Sequence, residues 1–216
     1  MMAVEVKICG LRDEEAVAAA VEGGADYLGV VFFPPSPRNI EPAAAAEILD
    51  GVPEGIVKVG LFVDPDDAFL YGVLQHVRLD LLQFHGKESP ERLARVRLET
   101  GLPVMKACPV ADLEDLDKAR AYEAVADRLL FDAKPPKGAT RPGGNALAFD
   151  WTLLKGATFS LPWMLAGGLD VSNIQQAVAM SGAQTVDVSS GVESAPGIKD
   201  PKLIKDFLKA VKGDAE

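Results

Sequence analysis

Two hydrophobic periods alternate along this chain. Short runs rich in Val, Ile, Leu and Phe are each followed by a stretch that carries helix-start signals. The runs fall at residues 4–9, 26–32, 56–62, 80–84, 103–107, 128–132, 163–166 and 184–188. Helices are predicted to begin near Asp13, Pro42, Asp66, Ser89, Asp112, Phe149, Ser172 and Asp200. Asp66, Ser89, Asp112, Ser172 and Asp200 are good caps, and Pro42, Pro90 and Pro201 suit a first helical position. Eight strand–helix units predict an α/β fold, a single (β/α)8 TIM-barrel domain over residues 1–216, near the lower size limit of that architecture. A doubly wound open sheet shares the alternation and is the rival. The count of eight, and the lack of a GxGxxG after the first run, favour the barrel.

Composition narrows the function. Lys and Arg number 22 against 32 Asp and Glu, a net charge of -10. Such a chain repels nucleic acid and anionic membrane, whereas a local cationic pocket still admits a small anion. Two cysteines without CxxC spacing argue against a disulfide framework or a zinc site. The chain enters its first strand within a few residues, and no apolar run reaches the ~18 residues of a membrane span. A cytoplasmic, reduced protein is expected, as a monomer or homodimer.

Candidate chemistry gathers at strand ends. Alternation within the first strand sends Val4, Val6 and Ile8 toward helices and Glu5, Lys7 and Cys9 inward. The same parity groups Leu81, Gln83 and His85, then Arg128, Leu130 and Asp132, then Thr185, Asp187 and Ser189. Lys106 is expected to point inward from the fifth strand. Lys7, Cys9, His85, Lys106, Asp132 and Asp187 thus converge on the barrel axis, and barrel sites lie at carboxyl ends of strands. Plainer readings stand beside these. Cys9 also fits as a small buried hydrophobe, as Cys108 does. Asp132 also fits as a turn cap, His85 as a strand terminator, and Lys7 with Glu5 as a structural ion pair. A thiol and a carboxylate at two strand ends nevertheless suggest proton transfer.

Three loops add to this. Residues 133–148 form a long Pro- and Gly-rich connection directly after Asp132, where a lid is expected. Gly167-Gly168 after the seventh strand and Ser189-Ser190-Gly191 after the eighth suit a phosphate, with room between Gly191 and Lys199 for a short extra helix. Arg38 ends a Pro-stiffened loop and presents a planar cation suited to a carboxylate or phosphate, unless it is simply a solvated surface residue.

The segments Lys7-Ile8-Cys9-Gly10-Leu11, Ser36-Pro37-Arg38, Gln83-Phe84-His85-Gly86, Phe131-Asp132, Phe149-Asp150-Trp151, Ala166-Gly167-Gly168-Leu169 and Asp187-Val188-Ser189-Ser190-Gly191-Val192-Glu193 resemble the phosphoribosylanthranilate isomerases of tryptophan biosynthesis. The likeness runs from residue 5 to about residue 208, in the family's order. It implies a (β/α)8 barrel without metal or cofactor and an Amadori rearrangement of N-(5-phosphoribosyl)anthranilate. It further implies Cys9 as general base, Asp132 as general acid, Arg38 on the anthranilate carboxylate and Asp187 on sugar hydroxyls. Gly168, Ser189 and Ser190 match the phosphate site. Cys9 is expected to act as a thiolate whose pKa is lowered by Lys7 and the anion site. Two departures from the family pattern occur. Ala146 replaces a glycine of the lid element, at about 1 kcal/mol if that position needs positive φ. Phe84 replaces Leu in the motif before Gly86.

Rival barrels fit less well. A histidine-pathway isomerase needs Asp where Cys9 stands, and a pentose-phosphate epimerase needs more His ligands than His76 and His85. A non-catalytic phosphosugar-binding barrel is the rival from another class; it predicts ligand binding without turnover.

Overall fold

In the computed structural model, residues 4–134, 143–144 and 148–213 are described. Eight parallel strands close in chain order: β1 (Glu5–Cys9), β2 (Tyr27–Phe32), β3 (Val57–Phe62), β4 (Leu81–Phe84), β5 (Val104–Val110), β6 (Arg128–Ala133), β7 (Trp163–Leu165) and β8 (Thr185–Val188). Pairing of β8 with β1, through Lys7 opposite Asp187 and Ile8 opposite Val188, closes the barrel and excludes the open sheet.

Helices α1 (Glu14–Glu22), α2 (Pro42–Leu49), α3 (Asp67–Leu74), α4 (Pro90–Thr100), α5 (Leu113–Ala119), α6 (Ile174–Ser181) and α7 (Pro201–Lys212) surround it. Asp13, Asp66, Ser89, Asp112 and Asp200 each accept a backbone N–H in the first turn that follows. These bonds satisfy amides the helix leaves unpaired, each worth about 1 kcal/mol. Among the described residues, no helix is long and apolar enough to cross a membrane.

Three expected elements differ. The helix expected near Phe149 is one 3-10 turn, Trp151–Leu154, started by Asp150 and stopped at Lys155-Gly156. Phe131 of β6 covers that face instead by packing on the rings of Phe159 and Trp163, with centroids at 4.9 and 5.7 Å. Ser172 is not the cap of α6; Asp170 makes that turn by accepting from the amides of Ser172 and Asn173. The extra helix expected after β8 is a 3-10 turn, Ser190–Val192, and a small hairpin of β9 (Glu193–Ala195) and β10 (Ile198–Lys199).

Strand alternation makes two concentric cores. Val6, Ile8, Leu28, Val30, Leu82, Phe131 and Val186 face the helices. Tyr27, Val59, Leu81, Met105, Ala107, Leu130, Met164 and Ala166 fill the barrel itself. Truncating one of these, for example Leu130→Ala, costs about 2–5 kcal/mol because the packed neighbours collapse only partly.

The amino-terminal end of the barrel is plugged by polar groups that satisfy one another. Tyr27 donates to Glu5 at 2.8 Å, Thr185 donates to Glu5 at 3.2 Å, and Arg128 donates to the Tyr27 oxygen at 3.0 Å. Burial, together with Glu5, pushes the Tyr27 phenol up to about 12 against the pull of Arg128. Glu5 therefore belongs to this floor, one layer below Lys7, and does not pair with it. Lys7 pairs instead with Asp187, its register neighbour on β8.

Candidate active site

At the carboxyl ends of the strands lies a pocket of about 700 Å³, open mouth included. That is an ordinary size for a small-ligand site. Cys9, Arg38, His85, Asp132, Gly167, Gly168, Asp187, Ser189 and Ser190 all line it, from strands and loops far apart in sequence. Gly191 does not. Its backbone is pressed against the carbonyl of Leu169, where no side chain fits.

One wall is built on β1. Cys9 is buried against Val31 and Leu61. Lys7, two residues earlier on the same face, donates to Asp187 at 2.9 Å and also reaches the thiol. Gly29 on β2 makes room for both: a Cβ there would lie 3.2 Å from the Cys9 sulfur and 3.2 Å from Lys7 Cε. Burial alone would lower the Lys7 pKa, but Asp187 and Cys9 turn the balance upward, so the ammonium is kept. For Cys9, burial pushes the thiol up; Lys7 and Lys199 pull it down, and Asp187 adds to the rise. The net direction is upward. The expected lowered thiol is thus corrected. A thiolate in this apolar corner loses more hydration than the ammonium beside it restores, because Asp187 already engages that ammonium.

The opposing wall is built on β6 and β4. Asp132 Oδ1 accepts from the amide of Ala133 at 2.8 Å, and Oδ2 lies 3.2 Å from His85 Nε2. His85 Nδ1 meets the side-chain nitrogen of Gln83 at 3.3 Å, while Gln83 Oε1 is buried without a partner among the described residues. Gly143 and Gly167 (φ +90°) flank the carboxylate; a Cβ at either would come within 3.0 Å of its oxygens. Lys106 is not part of the lining. Val104 and Cys108, on its face of β5, pack toward the helices, whereas Met105 and Ala107 face the axis. The expectation of an inward Lys106 is therefore corrected.

Between these walls come the loops after β7 and β8. Gly167 and Gly168 both adopt positive φ, which favours glycine and leaves the backbone uncovered. Ser189 donates to the carbonyl of Cys9 at 3.0 Å, tying the β8 loop to the end of β1. Lys199 donates to the Ser189 carbonyl at 2.8 Å from beneath.

Arg38 is buried. Its Nε and Nη2 grip Glu193 at 2.6 and 2.8 Å, so one edge of the guanidinium fork is taken by a carboxylate of the chain itself. Its Nη1 edge faces Gly144 and the pocket. Lys199 donates to Glu193 Oε1, the oxygen that Arg38 Nε also holds, at 2.9 Å. Burial lowers the Lys199 pKa against the pull of Glu193, and Glu193 is held below the usual carboxylate range by Arg38 and Lys199 despite burial, which raises it. Sequence reasoning did not assign a role to Glu193 or Lys199; the signal was a carboxylate and an amine flanking a hairpin beside the loop after β8. It also missed Val31, Phe33, Leu61 and Val63, which give the pocket an apolar side. Of the expected lid, Gly143 and Gly144 line the pocket; residues 135–142 and 145–147, Ala146 among them, lie outside the described residues. Phe84 packs on Phe62 behind the barrel, away from the pocket.

Comparison with known proteins identifies the family of this chain. The family model for N-(5'-phosphoribosyl)anthranilate (PRA) isomerase matches residues 6–210. The N-(5'-phosphoribosyl)anthranilate isomerase of Paramagnetospirillum magneticum is 64% identical over 212 residues, covering 98% of this chain and 99% of that protein. The crystal structure of phosphoribosyl anthranilate isomerase from Thermotoga maritima superposes with a TM-score of 0.86 at 36% identity, covering 97% of this chain and 99% of that one. A structure of phosphoribosyl anthranilate isomerase in complex with reduced 1-(o-carboxyphenylamino)-1-deoxyribulose 5-phosphate superposes with a TM-score of 0.82 at 34% identity, again over 97% and 99%. With a thiol wall, a carboxylate wall and an uncovered glycine backbone between them, this chain belongs to the N-(5'-phosphoribosyl)anthranilate isomerase family.

Proposed function

We propose that Cys9 and Asp132 are the general base and general acid of this isomerase. The reaction is the Amadori rearrangement of N-(5-phosphoribosyl)anthranilate to 1-(2-carboxyphenylamino)-1-deoxyribulose 5-phosphate in tryptophan biosynthesis. The carrying observation is that the two groups line different walls of one pocket, with the β7 and β8 loops between them. A phosphate held on the backbone of Gly167 and Gly168 and on Ser189 and Ser190 suspends the ribose between acid and base. The Nη1 edge of Arg38 receives the anthranilate carboxylate, and the ring rests on Phe33, Leu61 and Val63. Asp187, fixed by Lys7, accepts from a sugar hydroxyl.

The acid side acts first. Asp132 gives a proton to the ribose ring oxygen as the C1–O bond breaks, and the anthranilate nitrogen lone pair closes a Schiff base to C1. Cys9, as thiolate, then removes the C2 proton to give an enolamine, which tautomerises to the ketone. His85 Nε2, 3.2 Å from Asp132 Oδ2, orients the carboxyl group that donates the proton. The raised thiol makes the thiolate a minority form in the ligand-free site at neutral pH, so Lys7 stabilises the reactive form without populating it fully.

Phosphoribosylanthranilate made in situ is fluorescent, and its decay with and without the protein tests the activity. Faster decay with product formation is expected. Tight binding with decay at the spontaneous rate would favour the phosphosugar-binding alternative.

A further inference from the structure

We infer that the buried Lys106–Glu88 pair is a positioning device for the acid side: it clamps the backbone around His85 and so sets where His85 holds Asp132. The inference rests on the reading of Asp132 as the acid. Neither residue lines the pocket, and both are more than nine-tenths buried. A buried ion pair is a poor source of stability, because desolvation offsets its attraction and apolar replacements of similar volume often serve as well. What distinguishes this pair is where its hydrogen bonds go.

Lys106 Nζ donates to the Gly86 carbonyl at 2.7 Å, to Glu88 Oε2 at 2.9 Å and to the Phe84 carbonyl at 3.3 Å. Glu88 accepts from the Gly86 amide at 2.9 and 3.1 Å and from the Asp64 amide at 2.8 Å. The amide of His85 itself donates to the Phe62 carbonyl at 2.8 Å. Backbone groups before, at and after His85 are therefore all tied, and two of those ties go to one ammonium. Tyr122 closes the cluster from outside, donating to the Glu88 carbonyl at 2.9 Å with its ring 5.7 Å from the ammonium. Asp64 sits at φ +45°, a strained position for a residue with a side chain, and its carboxylate is packed against Gly86. Ending a strand needs none of this. An imidazole whose Nε2 must meet Asp132 to within a few tenths of an ångström does need it, since small misplacements of catalytic groups are costly.

The test is a double-mutant cycle on kcat, with KM and melting temperature measured beside it. Lys106→Met should lower kcat about ten- to a hundredfold and leave KM within about threefold. In a His85→Ala background, which should itself be slow, the same substitution should lower kcat less than about twofold further, because its route to the acid is already cut. Glu88→Asp keeps the pair but shortens its reach. It should melt like the parent and show the same loss of kcat and the same non-additivity, so the inference can fail even if Lys106→Met does not fold. Parental kcat in Glu88→Asp or in His85→Ala overturns it. So does an effect that multiplies in full with that of His85→Ala, which a merely structural pair would give. Asp132→Asn separates the two levels: near-parental kcat there removes the acid assignment and the inference with it. An inactive Asp132→Asn alongside full multiplication removes only the positioning role.

Discussion

The two walls of the pocket reach their chemistry by opposite means. On the Cys9 wall, burial does most of the work. Val31 and Leu61 exclude water, and the charges present, Lys7 with Asp187 and Lys199 with Glu193, are already paired. On the Asp132 wall, position does the work. A backbone amide, an imidazole and two glycines fix a carboxylate that stays open to the pocket. A base that must take a proton from carbon gains from a dry setting in which its charge is poorly solvated. An acid that must meet one ring oxygen gains from exact placement and an exchangeable partner. The expectation of a thiol lowered by Lys7 overlooked this difference. It counted the cation beside Cys9 and left out the carboxylate that engages that cation.

The deepest cut into both walls comes from removing the proposed base and acid. Cys9→Ser replaces a tunable thiol with a hydroxyl that hardly ionises near neutrality, and Asp132→Asn removes the proposed proton donor. Each should lower kcat by about 10²–10⁴ with an unchanged circular dichroism spectrum. Near-parental kcat in either folded variant reassigns that wall.

Lys7→Met tests whether the base wall depends on its ammonium. It leaves Asp187 alone beside the thiol, so the thiolate is disfavoured further. At neutral pH kcat/KM should fall about tenfold or more, and its rising limb should move to higher pH. In the parent that limb should already lie above the ordinary thiol range, because burial raises Cys9 and the proposed base acts as its thiolate. A pH profile that saturates below pH 8 would show a lowered thiol.

Arg38→Lys leaves both walls in place and tests the proposed contact to the anthranilate carboxylate. Losing a charge-assisted hydrogen bond costs about 1.5–3 kcal/mol. KM should rise roughly ten- to a hundredfold, and kcat should change much less. Equal loss in both parameters would make Arg38 part of the chemistry.

The two thiols give the finest comparison. Burial pushes Cys108 up to about 12 from an ordinary value of 9.0. A raised folded-state pKa means stability present below the unfolded pKa and lost as pH rises toward the folded one. Cys108 should therefore contribute an alkaline loss between about pH 9 and 12, on the order of 4 kcal/mol in full. Cys108→Ala should flatten that part of the denaturation profile. Iodoacetamide should modify Cys9 slowly and Cys108 more slowly still at pH 8, and bound product analogue should protect only Cys9.

Much of this was legible in the chain. The eight units, their order and the inward parity of Cys9, Asp132 and Asp187 follow from strands that alternate against caps that bond as expected. The failures have separate causes. Strand β5 is apolar on both faces, so alternation does not say which way Lys106 turns, and only the carbonyls of the β4 end settle it. The helix expected near Phe149 is absent because aromatic packing covers β6 without one. The Arg38–Glu193–Lys199 group joins positions up to 161 residues apart, from Arg38 to Lys199, and no local pattern reports such a meeting.

The floor of the barrel has its own consequence. Glu5, Tyr27, Arg128 and Thr185 are satisfied by one another, and Leu81, Met105, Leu130 and Met164 lie among the apolar residues that fill the barrel. That filling insulates one end from the other. Natural variation can rewrite the rim, loop by loop, without loosening the plug that holds the staves together. The plug in turn can drift toward greater heat tolerance without disturbing what the rim recognises. The two ends are therefore separately evolvable parts of one small cylinder.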